Sequence, residues 1–197
     1  MTEEIFWEDG LLPKDERLWV PLGSGRWSRP LCLNASQGYW VHITKVTEPG
    51  IISRHRHPSP VHGFVIEGRW RYLERDWVAQ AGSYLYEPPG DVHTLIVDEG
   101  DAMVTLFFNS GALLYCDEEG NTIDSTDVFD RIKAAREHYE KVGLAYGPAS
   151  GRNVQPDFPS SGLDIQPKID EYRIVGPTSG NAGISSIFAG NITIPSN

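Results

Sequence analysis

Residues 50–97 read GIISRHRHPSPVHGFVIEGRWRYLERDWVAQAGSYLYEPPGDVHTLIV, short β-prone runs cut by turn residues. Runs at 61–67, 69–74, 83–87 and 93–97 are rich in branched and aromatic side chains, and Gly68, Ala81-Gly82 and Pro88-Pro89-Gly90 separate them. Working outward, the same texture continues, with strands expected at 39–47, 102–109 and 112–116. Pro49-Gly50 and Glu99-Gly100 mark further breaks. Many short strands at close spacing predict an all-β antiparallel sandwich or barrel. One helix is expected, because Val128, Ile132, Ala135, Tyr139 and Val142 recur at helical spacing. Asp124 or Ser125 offers its N-cap, and Gly143 follows Lys141 as its stop.

Four segments are expected. Residues 1–38 read as an irregular, aromatic-bearing segment packing on the barrel, and 39–120 form the barrel. Residues 121–146 hold the helix. Beyond Tyr146 the composition turns to Pro, Gly and Ser, and 147–197 read as an extended or disordered tail with a short strand near 171–175.

The chain of 197 residues carries 17 Lys plus Arg against 27 Asp plus Glu, a net charge of −10. That acidity excludes nucleic acid and anionic membrane as main partners. Hydrophobic residues make up 40%, with 6 Trp, enough for a sizeable core. The acidic start Met1-Thr2-Glu3-Glu4 lacks the basic region of a secretory signal, and no apolar run suits a membrane span. Cys32 and Cys116 stand apart with no C-x-x-C pairing, so free thiols in a cytoplasmic setting are expected.

Chemistry concentrates in the histidines. In an extended His55-Arg56-His57 the two imidazoles face one side and Arg56 the other, a ready pair of metal ligands. The turn Pro88-Pro89-Gly90 then delivers His93 on a neighbouring strand, where a third imidazole can join them. His62 stays open between a fourth ligand, an acid or base beside the metal, and an outward residue, because one step of register flips its face. Glu87 either reaches the cavity, to take a substrate proton or hold a ligand imidazole, or stands as an exposed rim carboxylate.

The block resembles the two signature motifs of the cupin superfamily. Gly82, Pro88, Gly90 and His93 match the second motif, with Val97 where its Asn usually stands. Gly50, His55, His57 and Gly68 match the first loosely, and Val61 or His62 occupies the place of its Glu. The resemblance implies a single jelly-roll barrel with one C-terminal helix and an irregular tail, and His55, His57 and His93 as metal ligands. Without the motif's Glu, three neutral imidazoles leave the cation its full charge, which favours chelating oxyanions. This resembles the acetylacetone-cleaving and 2,4′-dihydroxyacetophenone dioxygenases. Residues 57–64 and 68–72, Trp77 and 87–94 favour the second group.

The implied function is a non-haem Fe(II) dioxygenase that cleaves a C–C bond of a hydroxylated aryl ketone, with O2 as co-substrate. His62 and Glu87 are the candidate catalytic groups. The rivals are another small-molecule dioxygenase acting on diketones or thiols, and a non-catalytic zinc-binding sensor. Aromatic residues Phe6, Trp7, Trp19 and Trp27 of the first segment suggest a buried subunit surface, and a homodimer or homotetramer is expected.

Overall fold

The computed structural model describes residues 5–146; the expected tail at 147–197 lies outside the described residues. A 3-10 turn, Glu16–Leu18, precedes eleven strands: β1 (Val20–Gly23), β2 (Arg26–Asn34), β3 (Tyr39–Val46), β4 (Gly50–Arg56), β5 (Val61–Tyr72) and β6 (Ala79–Gln80). There follow β7 (Tyr84–Glu87), β8 (His93–Val97), β9 (Met103–Ser110), β10 (Ala112–Cys116), β11 (Thr122–Asp127) and the helix α1 (Val128–Lys141).

All pairings are antiparallel, and the main order is β1-β2-β3-β9-β5-β8-β4-β10-β11, with β6 and β7 also on β5. The twelve-residue β5 joins the two halves of this curled sheet. Its first part pairs with β9 and β7, and its end, Arg71 and Tyr72, pairs with β8. Gly68 makes the crossing possible: its φ is +78°, and a Cβ there would lie 1.9 Å from the Ala102 carbonyl oxygen. The expected strands 61–67 and 69–74 are therefore one strand bent at a glycine.

The first segment is more ordered than its sequence suggests. Residues 20–34 form a hairpin that continues the barrel sheet through the β2–β3 pairing. Pro30 obscured it, yet Pro30 lies beyond the β1 pairing, which ends at Ser28, so no partner on that side needs its missing N–H. Trp19 is buried, and Trp7 and Trp27 pack on the same core as Leu31, Ile43 and Val104. Of the four aromatics expected to seek a partner, Phe6 alone is mostly exposed.

The helix begins three residues later than the earlier of the expected caps. Asp127 accepts from the backbone N–H groups of Phe129 and Asp130, and the Asp130 carboxylate accepts from the Asp127 N–H. This reciprocal cap contributes about 1 kcal/mol. Residues 122–127, polar and unremarkable in sequence, are instead the strand β11. Val128, Ile132, Ala135 and Tyr139 bury one helix face against Val20, Leu33 and Trp40. No helix among the described residues is long and apolar enough to cross a membrane.

Candidate metal centre and its cavity

Three strands and one turn deliver the site. Between Ile51 and Ser53 a bulge shifts the β4–β8 register, after which His55 stands directly opposite His93. Arg56 points away, its guanidinium donating to Thr122 Oγ1. His57 follows the end of β4, and its carbonyl accepts from the Gly90 N–H at 2.8 Å, which ties the Pro88-Pro89-Gly90 turn to the imidazole pair. Glu87, the last residue of β7, pairs with Val61.

These elements bring His55, His57, Glu87 and His93 into one buried group, their ligand atoms all within 4.8 Å of one another. His93 Nε2 is 3.1 Å from His55 Nε2, while Glu87 Oε2 lies 3.3 Å from His57 Nε2 and 3.6 Å from His93 Nε2. The Nδ1 atoms of two rings face elsewhere: His55 Nδ1 is 3.0 Å from Ser53 Oγ and His93 Nδ1 is 3.6 Å from Asp91 Oδ2. A proton on each of those Nδ1 atoms leaves the Nε2 lone pairs converging on one point, the tautomer a metal needs. Asp91 is itself held by Arg75, which donates to it.

Tyr72 completes the support. Its ring stacks on His93 at 4.0 Å between centroids, and its hydroxyl donates to Glu87 Oε1 at 2.6 Å. Oε1 is thereby engaged, and Oε2 is left buried with no hydrogen-bond partner among the described residues. An orphaned carboxylate oxygen facing two buried imidazole nitrogens is costly unless a cation sits among them. The donor set fits a divalent ion.

Electrostatics agree. Burial first, then the charges His93 and His57 would carry, push His55 down to about 3, and burial also lowers His93. Both rings are therefore neutral near pH 7. Burial would raise Glu87, but the adjacent His57 and His93 imidazoles and the Tyr72 hydroxyl outweigh this and hold it below the ordinary carboxylate range. Burial and the Glu87 charge lift Tyr72 well above its usual value, so it stays a donor. Neutral imidazoles and an ionised carboxylate are the forms that bind metal.

A carboxylate nevertheless stands beside the three imidazoles. The position in the loop after His57 is indeed empty of Glu, but Val61 pairs with Glu87, and the carboxylate arrives from the adjacent strand. His62 does not join the group. It lies on the opposite face of β5, with Nδ1 2.8 Å from the Tyr84 hydroxyl. Phe64, Tyr84 and Tyr86 share that outer face, each more than half exposed, and do not line the cavity. Trp40, Tyr72 and Phe107 do line the cavity, which measures about 300 Å³ and opens beside the four donors. Sequence reading missed Tyr72 as the residue holding Glu87, and missed Asn109 and Arg131 in the cavity wall. No local pattern marks any of them.

Residues 8–114, more than half the chain, match the family described as the ChrR Cupin-like domain. Among solved structures, an RmlC-like cupin protein from Ralstonia eutropha JMP134 is similar at 26% identity and TM-score 0.62, covering 66% of this chain and 85% of that one. The acetylacetone dioxygenase from Acinetobacter johnsonii is similar in fold at 18% identity and TM-score 0.57, covering 70% of this chain and 97% of that one. No curated protein matches the chain in sequence.

Proposed function

This chain belongs to the ChrR cupin-like family, and from that premise we propose that it is a metal-dependent dioxygenase cleaving a C–C bond of a hydroxylated aryl ketone. One observation carries the reading: the buried three-imidazole, one-carboxylate group opens onto a cavity of ligand size, about 300 Å³, instead of being sealed in the core. Likeness in fold to the acetylacetone dioxygenase supports the reaction class by analogy.

In this reading His55, His57 and His93 hold Fe(II). When bound, the ion supplies a common anchor for substrate and O2 and the path for electrons between them. The chain does the rest. Glu87, with Oε1 fixed by Tyr72, keeps Oε2 free to take the α-hydroxyl proton of the substrate. Trp40, Phe107, Leu95 and Met103 supply apolar wall for the aryl ring and keep water out. With 2,4′-dihydroxyacetophenone as substrate, the bond between the carbonyl and hydroxymethyl carbons breaks. Each carbon gains one atom of O2, giving 4-hydroxybenzoate and formate. A cytoplasmic setting, where ferrous iron and the free thiols of Cys32 and Cys116 persist, fits this chemistry.

The expected homodimer or homotetramer remains part of the proposal. Its contact surface moves from the first segment to the outer face of β5 and β7, where three half-exposed aromatic rings cluster. Sedimentation as a stable monomer at micromolar concentration would remove it.

The test of the reaction is an oxygen electrode with Fe(II)-loaded protein and 2,4′-dihydroxyacetophenone. One O2 should vanish per 4-hydroxybenzoate formed. No oxygen uptake with this ketone, or with acetylacetone-type diketones, overturns the proposal. A second reading, a non-catalytic zinc site, draws on the four protein donors, which suit a closed tetrahedral ion. Elemental analysis finding zinc in protein that consumes no O2 would favour it.

A further inference from the structure

The inference concerns the end of the cavity remote from the four metal donors, and it rests on the proposed reading of that cavity as a substrate site. On the inner face of the sheet one row runs straight across four strands: Trp40 on β3, Asn109 on β9, Val61 on β5 and Glu87 on β7. Neighbouring strands lie about 4.8 Å apart, so Trp40 stands about 14 Å along the curled sheet from Glu87. At the Trp40 end the helix α1 adds Arg131, its guanidinium carbon 6.0 Å from the Trp40 ring centroid.

All three residues line the cavity, and each holds a buried donor without a hydrogen-bond partner among the described residues: Trp40 Nε1, Asn109 Nδ2 and Arg131 Nε. Buried donors left unpaired are costly, more so for a charged group, and three of them on residues lining one cavity is more than packing alone explains. The Tyr115 hydroxyl lies within reach of the guanidinium, and Asp130 acts on it from the helix, while burial works against the guanidinium's charge. His42, on the same wall, is kept neutral by burial and by Arg131, with Nδ1 2.8 Å from Ser28 Oγ. Arg26 also lines the cavity, but it donates to the Ile52 carbonyl.

We infer that Trp40, Asn109 and Arg131 form an oxyanion clamp, and that the substrate carries an anionic oxygen, carboxylate or phenolate, at the end remote from its metal-chelating oxygens. Donors alone recognise an acceptor; a ring terminus without one would leave all three unpaired, which makes the clamp a specificity element. Arg131 lies beyond the family-matched residues 8–114, whereas Trp40 and Asn109 lie within them.

Equilibrium binding separates this inference from the dioxygenase reading, since it needs neither O2 nor turnover. Benzoate and the neutral isostere benzamide would be titrated calorimetrically into wild type, Arg131→Gln, Arg131→Lys and His93→Ala. Benzoate should bind wild type at least tenfold more tightly than benzamide. That preference should persist in His93→Ala, which lacks the metal pole, fall to parity in Arg131→Gln, and survive in part in Arg131→Lys. Should Arg131→Gln fail to fold, Asn109→Leu replaces it, with the preference expected to fall severalfold. In a further arm, 4-hydroxyacetophenone is taken through its phenol titration. Tighter binding of the ionised form, absent in Arg131→Gln, identifies phenolate as a ligand, and benzoate preference alone identifies carboxylate. Equal affinity of benzoate and benzamide for wild type overturns the clamp. So does a preference that vanishes in His93→Ala yet remains in Arg131→Gln, which would place the carboxylate at the metal pole. Oxygen uptake without such a preference sinks the clamp alone, and a preference without oxygen uptake sinks the dioxygenase alone.

Discussion

On the inner face of the β5–β7 pair stand Val61, Gly63, Leu85 and Glu87; on its outer face stand His62, Phe64, Tyr84 and Tyr86. Each face carries one group able to move a proton. Glu87 is 4% exposed, one oxygen taken by Tyr72 and the other facing two imidazoles. His62 pairs with a Tyr84 that is 56% exposed, in contact with water. The period-two alternation of a strand is all that separates the two environments. Chemical aptitude in the side chain is therefore worth little here without the face it occupies.

The largest effects are expected at the inner face itself. Replacing His93 with Ala should remove most bound metal while far-ultraviolet circular dichroism still reports a β-rich fold, because the core around Trp70, Val97 and Met103 does not depend on the ion. Full metal occupancy in that variant, by elemental analysis, would detach the cluster from metal binding. Glu87→Gln preserves shape and removes charge; kcat should drop by about 100-fold or more with the fold intact. Tyr72→Phe keeps the stack on His93 but strips the hydroxyl from Glu87 Oε1. It should cost about 1–2 kcal/mol in urea unfolding and lower kcat by about tenfold.

The barrel was legible in sequence, and so were His55, His57 and His93, because each depends on local geometry: a two-residue spacing and a tight turn. Glu87 was legible as a candidate but not in its placement, which needs the pairing with Val61, a contact 26 positions away that no local pattern encodes. For the same reason the bend at Gly68 looked like the end of a strand. The hairpin at 20–34 was hidden by Pro30, which stands beyond the β1 pairing and beside an irregularity of the β2–β3 register. Arg131 reads as one more charge on an exposed helix until the fold turns it toward the cavity.

Smaller effects sharpen the same contrast. His42, on the inner face of β3, is pushed well below the ordinary imidazole value by burial and by Arg131. Its folded pKa lies below its unfolded one, so this stabilising contribution is complete above about pH 6.5. It is lost as pH falls from there, at about 1.4 kcal/mol per pH unit. His42→Gln should accordingly reduce the loss of urea stability between about pH 7 and pH 5 by up to about 2 kcal/mol. An unchanged loss would mean that the ring is not buried neutral. Last and least, His62→Ala should leave metal content and kcat within about twofold of wild type, the range of an ordinary surface change. A collapse of activity there would mean that the outer face takes part in the chemistry.

The direct pairing of His55 with His93 across β4 and β8 carries one more consequence. A slip of either strand by one residue would turn its imidazole to the other side of the sheet and scatter the donors. Such a slipped molecule could bury much the same apolar surface, yet it could not grip an ion. Binding energy reaches the correctly threaded molecule alone, so metal present during refolding should act as a proofreader. The fraction of chains that acquire metal then counts the fraction that have folded in register.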